Sequence, residues 1–200
     1  MIVCGGFNPS GVFNTGGQCN PSTDSWIATS TTNAPEGRAQ HTAVWTDSEM
    51  IVWGGFNGSI NVNTGGRYNP STDSWTATRT TNAPAGRDQH TAVWTRSEMI
   101  VWGGFNGPFN TGGRYDPSTD SWTPTSTTNA AAGRARHTAV WSDSEMIVSG
   151  GYNYGTSILN TGGRYNPSTD NWTATSTTNA PAARESHVAV WTDSEMIVWG

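Results

Sequence analysis

Apolar residues along this chain fall in short runs, and no window carries the spacing of a helical stripe. "HTAVW" (41–45) and "EMIVW" (49–53) flank a tight polar turn, "TDS". "GGRY" with its flanks follows and stops at "NPSTD". "SWTATRT" (74–80) then alternates Thr with apolar residues up to the breaker "NAPAG". β-branched and aromatic residues punctuated by Gly, Pro and Asn predict four short strands, a to d. In the second of these, "MIVW" is apolar at every position, so strand b is expected to be buried on both faces, as in a sheet stacked between two others.

The pattern repeats. "MIV" begins at Met1, Met50, Met99, Met146 and Met196, and "AVW" ends at Trp45, Trp94, Trp141 and Trp191. The Trp after "STD(S/N)" is Trp26, Trp75, Trp122 or Trp172. One unit of about 49 residues therefore fills the chain, with copies near 1–49, 50–98, 99–145 and 146–195, and residues 196–200 open a fifth. A unit of four short strands cannot bury its own faces and must stack on its neighbours.

The residues carrying this repeat resemble the kelch-repeat β-propellers. An apolar strand ends in Gly54–Gly55, Tyr68 follows, and six residues later stands Trp75. The same signature recurs at 103–104, 115 and 122, and at 150–151, 165 and 172. The resemblance covers residues 1–200 and implies one all-β segment: a β-propeller of four-stranded antiparallel blades, four blade-equivalents plus one extra strand. A solenoid of equal period is the structural alternative. In the kelch order the chain starts on strand b and finishes on strands a and b. Strand a of the last copy can then join strands b, c and d of the first. The surplus b strand points to a piece of a longer array or to a head-to-tail homodimer closing an eight-bladed ring, with a four-bladed monomer as the alternative.

Composition narrows the partners. The 200 residues carry a net charge of −5 with 12% charged residues, so no basic patch suits nucleic acid or an anionic membrane. No apolar run approaches the roughly 20 residues of a membrane span. "MIVCGG" lacks the basic start and long apolar stretch of a signal peptide and recurs inside the chain as "MIVWGG". The Thr/Ser/Asn-rich surface, with sequons at Asn57 and Asn171, fits an extracellular or cell-surface setting.

Copies diverge in one place, the b–c loop: 7–14, 56–63, 105–110 and 152–160. Variation on one rim of a repetitive scaffold is the pattern of a recognition surface, and Tyr152 and Tyr154 are candidates within it. Each d–a loop on the same side brings an Arg-x-x-His: Arg38 and His41, Arg87 and His90, Arg134 and His137, Arg184 and His187. Four or eight guanidiniums around a channel mouth would hold a carboxylate, sulfate or sugar acid. Strict repetition favours the alternative, in which each Arg and His ties one blade to the next. Four symmetric His do not make a zinc site, and no metal or cofactor is expected. Cys4 and Cys19 replace bulky residues on adjacent strands of the first copy, and a disulfide follows if the register sets them opposite each other.

The expected function is a non-catalytic interaction scaffold binding a protein or glycan through the b–c and d–a loop face. One alternative, implied by the resemblance, is a carbohydrate-active enzyme domain like galactose oxidase, although no copper-site motif marks one here. The other is an engineered or recently amplified repeat array without a specific ligand.

Overall fold

The computed structural model describes residues 1–107, 109–153 and 157–200, and among these every regular element is a strand. The chain divides into two compact units: residues 1–80 with 85–88, and residues 81–84 with 89–200.

The first unit opens with β1 (Ile2–Cys4), the small ribbon β2 (Phe7–Asn8) and β3 (Gly11–Val12), then β4 (Gly16–Asn20) and β5 (Ser25–Ala28). Strands β1, β4 and β5 form a three-stranded sheet in that order. Strands β6 (Thr42–Trp45), β7 (Met50–Trp53), β8 (Gly65–Asn69) and β9 (Ser74–Ala77) then pair consecutively in a four-stranded sheet.

The second unit repeats that sheet with β10 (Thr91–Trp94), β11 (Met99–Trp102), β12 (Gly112–Asp116) and β13 (Ser121–Pro124). Next come β14 (Thr138–Trp141), β15 (Met146–Ser149), the ribbon β16 (Tyr152–Asn153) and β17 (Ser157–Ile158), β18 (Gly162–Asn166) and β19 (Asn171–Ala174). The hairpin β20 (Val188–Trp191) and β21 (Met196–Trp199) ends it.

One antiparallel register recurs in every complete sheet. Thr42 faces Trp53, Met50 faces Tyr68, and Tyr68 faces Trp75. The shared register puts Met, Tyr and Trp side by side on one face of each sheet, because directly opposed residues point the same way. In the first unit Met50, Val52, Tyr68 and Trp75 form the core, with Ile2, Cys4 and Ala34 of the first copy packed against them. In the second, Val93, Ile100 and Trp102 meet Met146, Val148, Tyr165 and Trp172. Trp102 and Trp172 lie 5.0 Å apart in a tilted pair.

Strand b is buried as the pattern requires in the two central copies, where Met50–Trp53 and Met99–Trp102 are buried at every position. The same residues are half-buried or exposed in β1 and β21. Burial of this segment thus comes from its surroundings, not from the segment itself.

Strand d is shorter than its alternation predicts. The first copy stops at Ala28 because Ser30 turns its backbone toward the next sheet, donating its N–H to Asp73 at 2.8 Å and accepting from Trp75 Nε1 at 2.9 Å.

The Gly-Gly pair after strand b has a steric cause. Gly103 sits at φ +70°, and a Cβ there would stand 2.5 Å from His137 Cε1 and 2.8 Å from the Arg134 carbonyl. A side chain fits neither that backbone conformation nor that space.

Candidate functional site

The Arg-x-x-His segments fold as latches. In the first unit the Arg38 backbone pairs with the first b–c loop, accepting from Gly6 N at 2.8 Å and donating to Phe13 O at 3.0 Å. Its side chain reaches the second b–c loop: Nη1 donates to Gly54 O (2.9 Å) and Thr64 O (2.7 Å), and Nη2 donates to Thr64 Oγ1 (3.0 Å). One residue therefore pins two successive loops.

Arg134 repeats this in the second unit, with Nη1 on Gly150 O (2.8 Å) and Thr161 O (2.6 Å) and Nη2 on Thr161 Oγ1 (3.1 Å). Arg184 donates to Gly200 O at 2.6 Å. Arg87 is buried as well, with Nε on Ala85 O at 2.9 Å and its own carbonyl accepting from Gly55 N.

The histidines fill the space beneath the Gly-Gly pairs. His137 Nε2 lies 2.8 Å from Thr91 Oγ1, and its ring meets Trp102 edge-on at 5.2 Å. His187 makes the matching contact with Thr138 Oγ1 at 2.9 Å. His90 is buried and His41 half-buried. Burial, with Arg134 and then His90 and His187 adding like charge, pushes the His137 pKa down to about 3. His187 and His41 are lowered by burial and then by Arg184 and Arg38 respectively. The rings of His41, His137 and His187 are neutral at pH 7.

Of the candidate ligand-binding residues, Arg38, Arg87, Arg134, His90, His137 and His187 are all buried, and the guanidiniums of Arg38 and Arg134 donate to backbone carbonyls. Arg184 and His41 occupy the same latch positions with more exposure.

The cysteines are also repositioned. Cys4 faces Gly16 and Ile2 faces Gln18, whereas Cys19 faces Trp26. Since opposed residues share a face, Cys4 and Cys19 point to opposite sides of the sheet, and both are free thiols. The register condition for a disulfide is not met. Burial raises the Cys4 pKa, with Arg38 opposing it.

With the latches assigned to architecture, the b–c loops carry the exposed apolar side chains. In the first unit Phe7 is 72% and Ile60 63% exposed, and Phe56 is partly exposed beside them. The second loop is rigid: Asn57 Oδ1 accepts from Ser59 N (3.0 Å) and Ile60 N (2.9 Å), and Asn57 Nδ2 donates to Glu36 Oε2 (3.1 Å). Phe56 and Ala39 exchange both backbone bonds at 2.9 Å, joining this loop to the latch. Gly58 lies close to Val12, so the two loops adjoin.

In the second unit Phe105 and Ile158 are exposed, and half-buried Tyr152 exchanges backbone bonds with Ala135. Tyr154 lies outside the described residues. No cluster of three or more His, Cys, Asp or Glu that could hold a metal ion occurs among the described residues.

One contact escapes the sequence reading. Asp73 looks like a turn cap, and it does take the left-handed conformation (φ 48°) of one. Its Oδ1 also accepts from Tyr68 Oη (2.7 Å) and from Ser30 N of the preceding copy. Burial and this carboxylate raise the Tyr68 pKa to about 12. Asp170, Tyr165, Ser126 and Trp172 make the same set in the second unit. The strict Tyr-to-Trp spacing with Asp between was the available signal.

Compared with known proteins, residues 1–200 match the family described as the KLHDC2/KLHL20/DRC7 Kelch-repeats domain. No curated protein matches the chain.

Proposed function

The chain belongs to the kelch-repeat family, and from that premise we propose that it is a non-catalytic scaffold that binds a partner protein through its unequal b–c loops. Kelch-repeat domains generally mediate protein–protein interaction. The observation that carries the reading is the pairing of exposed apolar side chains, Phe7, Phe56 and Ile60, with loops held rigid by the latches and by Asn57. A preorganised apolar patch loses little conformational entropy on binding, which is what a protein-recognition surface needs. The anchors are phenyl and aliphatic groups, a chemistry that favours a protein over a glycan. A propeller formed by head-to-tail association of two copies belongs to the same proposal.

A random peptide library displayed on phage and selected on the immobilised chain tests the loop assignment. Enriched peptides should lose at least about tenfold in affinity on Phe7→Ser or Ile60→Ser, as truncation of buried anchors does. Peptides that bind both variants as well as the unaltered chain would remove the loops from the account.

A further inference from the structure

We infer that Glu36 determines the specificity of the b–c loop surface, selecting a partner protein segment that carries a lysine or arginine beside an apolar side chain. The inference rests on the loop reading above and adds the chemistry of the partner.

Glu36 breaks the repeat at a position where the scaffold does not need it. Two residues before the latch arginine the other copies have Ala85, Ala132 and Ala182. The latch uses only the backbone of that position. Arg38 Nε donates to Glu36 O at 3.0 Å, Arg87 Nε to Ala85 O at 2.9 Å, and Arg134 Nε to Ala132 O at 2.9 Å. Alanine thus serves the latch as glutamate does, and the Glu36 carboxylate takes no part in the latch's hydrogen bonding.

That carboxylate is held instead at the rim of the apolar patch. Glu36 is exposed, and its Oε2 accepts from Asn57 Nδ2 at 3.1 Å. The oxygen of the same Asn57 amide accepts from Ile60 N at 2.9 Å, and Asn57 N donates to Ile60 O at 3.1 Å. One side-chain amide therefore fixes the Glu36 carboxylate relative to Ile60. Ile60 is 63% exposed and Phe56 36%. Phe105, the matching residue of the next copy, is also 36% exposed, so this degree of exposure belongs to the loop position. Among the described residues Glu36 Oε1 makes no hydrogen bond or ion pair. Arg38, two residues on, is buried with its Nη groups on Gly54 and Thr64, so the charge a partner meets here is negative. A carboxylate at the edge of an apolar contact steers and selects oppositely charged groups more than it adds affinity. A partner's guanidinium or ammonium bonds Oε1 while its neighbouring apolar side chain covers Ile60 and Phe56. An acidic segment of the same shape is repelled. The chain's net charge of −5 favours the same basic partners.

The displayed peptide library tests this on the full chain. Peptides enriched on the unaltered chain should carry Lys or Arg beside an apolar residue, and those enriched on Glu36→Lys should carry Asp or Glu there instead. Binding of one enriched peptide, followed by fluorescence anisotropy, should weaken about fivefold on Glu36→Gln at low salt, and the difference should close as salt is added. Glu36→Lys should weaken it further. Exchanging the peptide's basic residue for Glu should restore its affinity for that variant, an outcome that misfolding cannot mimic. Peptides that lose affinity on Ile60→Ser, yet show no preference for basic residues and bind Glu36→Gln unchanged, leave the loop reading standing and overturn this inference. Acidic residues enriched on the unaltered chain overturn it as well. Peptides indifferent to Ile60→Ser overturn both.

Discussion

His137 shows what a repeated residue does in this chain. Its ring is boxed by Trp102, Thr91 and the Gly103 backbone, and its pKa is held near 3. The unfolded chain takes up a proton at this position near pH 6.5, and the folded chain refuses it until about pH 3. Between these values the unfolded state binds more protons, so stability falls as pH falls, by about 1.4 kcal/mol per unit for this group. Above pH 6.5 the contribution is fully present. Urea unfolding measured from pH 7 to pH 4 should show this slope, and His137→Gln should flatten it by about one proton's worth, whatever the variant does to stability at pH 7. The sequence made His137 visible as a repeated position and left its environment open. A histidine beside an arginine reads equally as an anion site or as a neutral packing group, and only the Gly103 contact separates the two.

Among elements, the d–a loop is the joint that matters. Arg38 places three side-chain bonds on Gly54 O, Thr64 O and Thr64 Oγ1 at the two ends of one b–c loop. Lys keeps the charge but has no planar fork to span two carbonyls and a hydroxyl. Arg38→Lys should therefore cost about 2–4 kcal/mol, the penalty for leaving buried acceptors short of a donor. Amide exchange across residues 54–64 should accelerate while that of β8 and β9 does not. Strand order and the buried b strands were legible because each follows from period and polarity: alternation, Gly-Gly and the Asp turn repeat at fixed offsets. The Asp73–Ser30–Trp75 contact was not legible, because it uses backbone atoms of a residue 43 positions from Asp73, and Ser30 itself carries no signal. The expected Cys4–Cys19 pairing failed for a related reason. Adjacent strands were evident, but the face each residue occupies depends on a register that a shift of one residue reverses.

At the scale of the whole chain, the copies divide into positions that must repeat and positions that need not. Tyr, Trp, Asp, the latch Arg and the Gly-Gly pair repeat because each stacked sheet needs the same contacts. The b–c loops differ in sequence while the ends of two of them, at residues 54 and 64 and at residues 150 and 161, are fixed by the latches of Arg38 and Arg134. That division was the most functional statement the sequence offered. Arg38, Arg87 and Arg134 are buried, and Phe7, Phe56, Ile60, Phe105 and Ile158 are exposed apolar residues of the loops. The central claim, that partners meet the b–c loops, is tested most directly by a hydrogen-exchange footprint of the tightest selected peptide on the chain. Slowed exchange at residues 7–12 and 56–61, with the a–b and c–d turns at 46–49 and 70–73 unchanged, is the predicted result. Protection confined to those turns would contradict it.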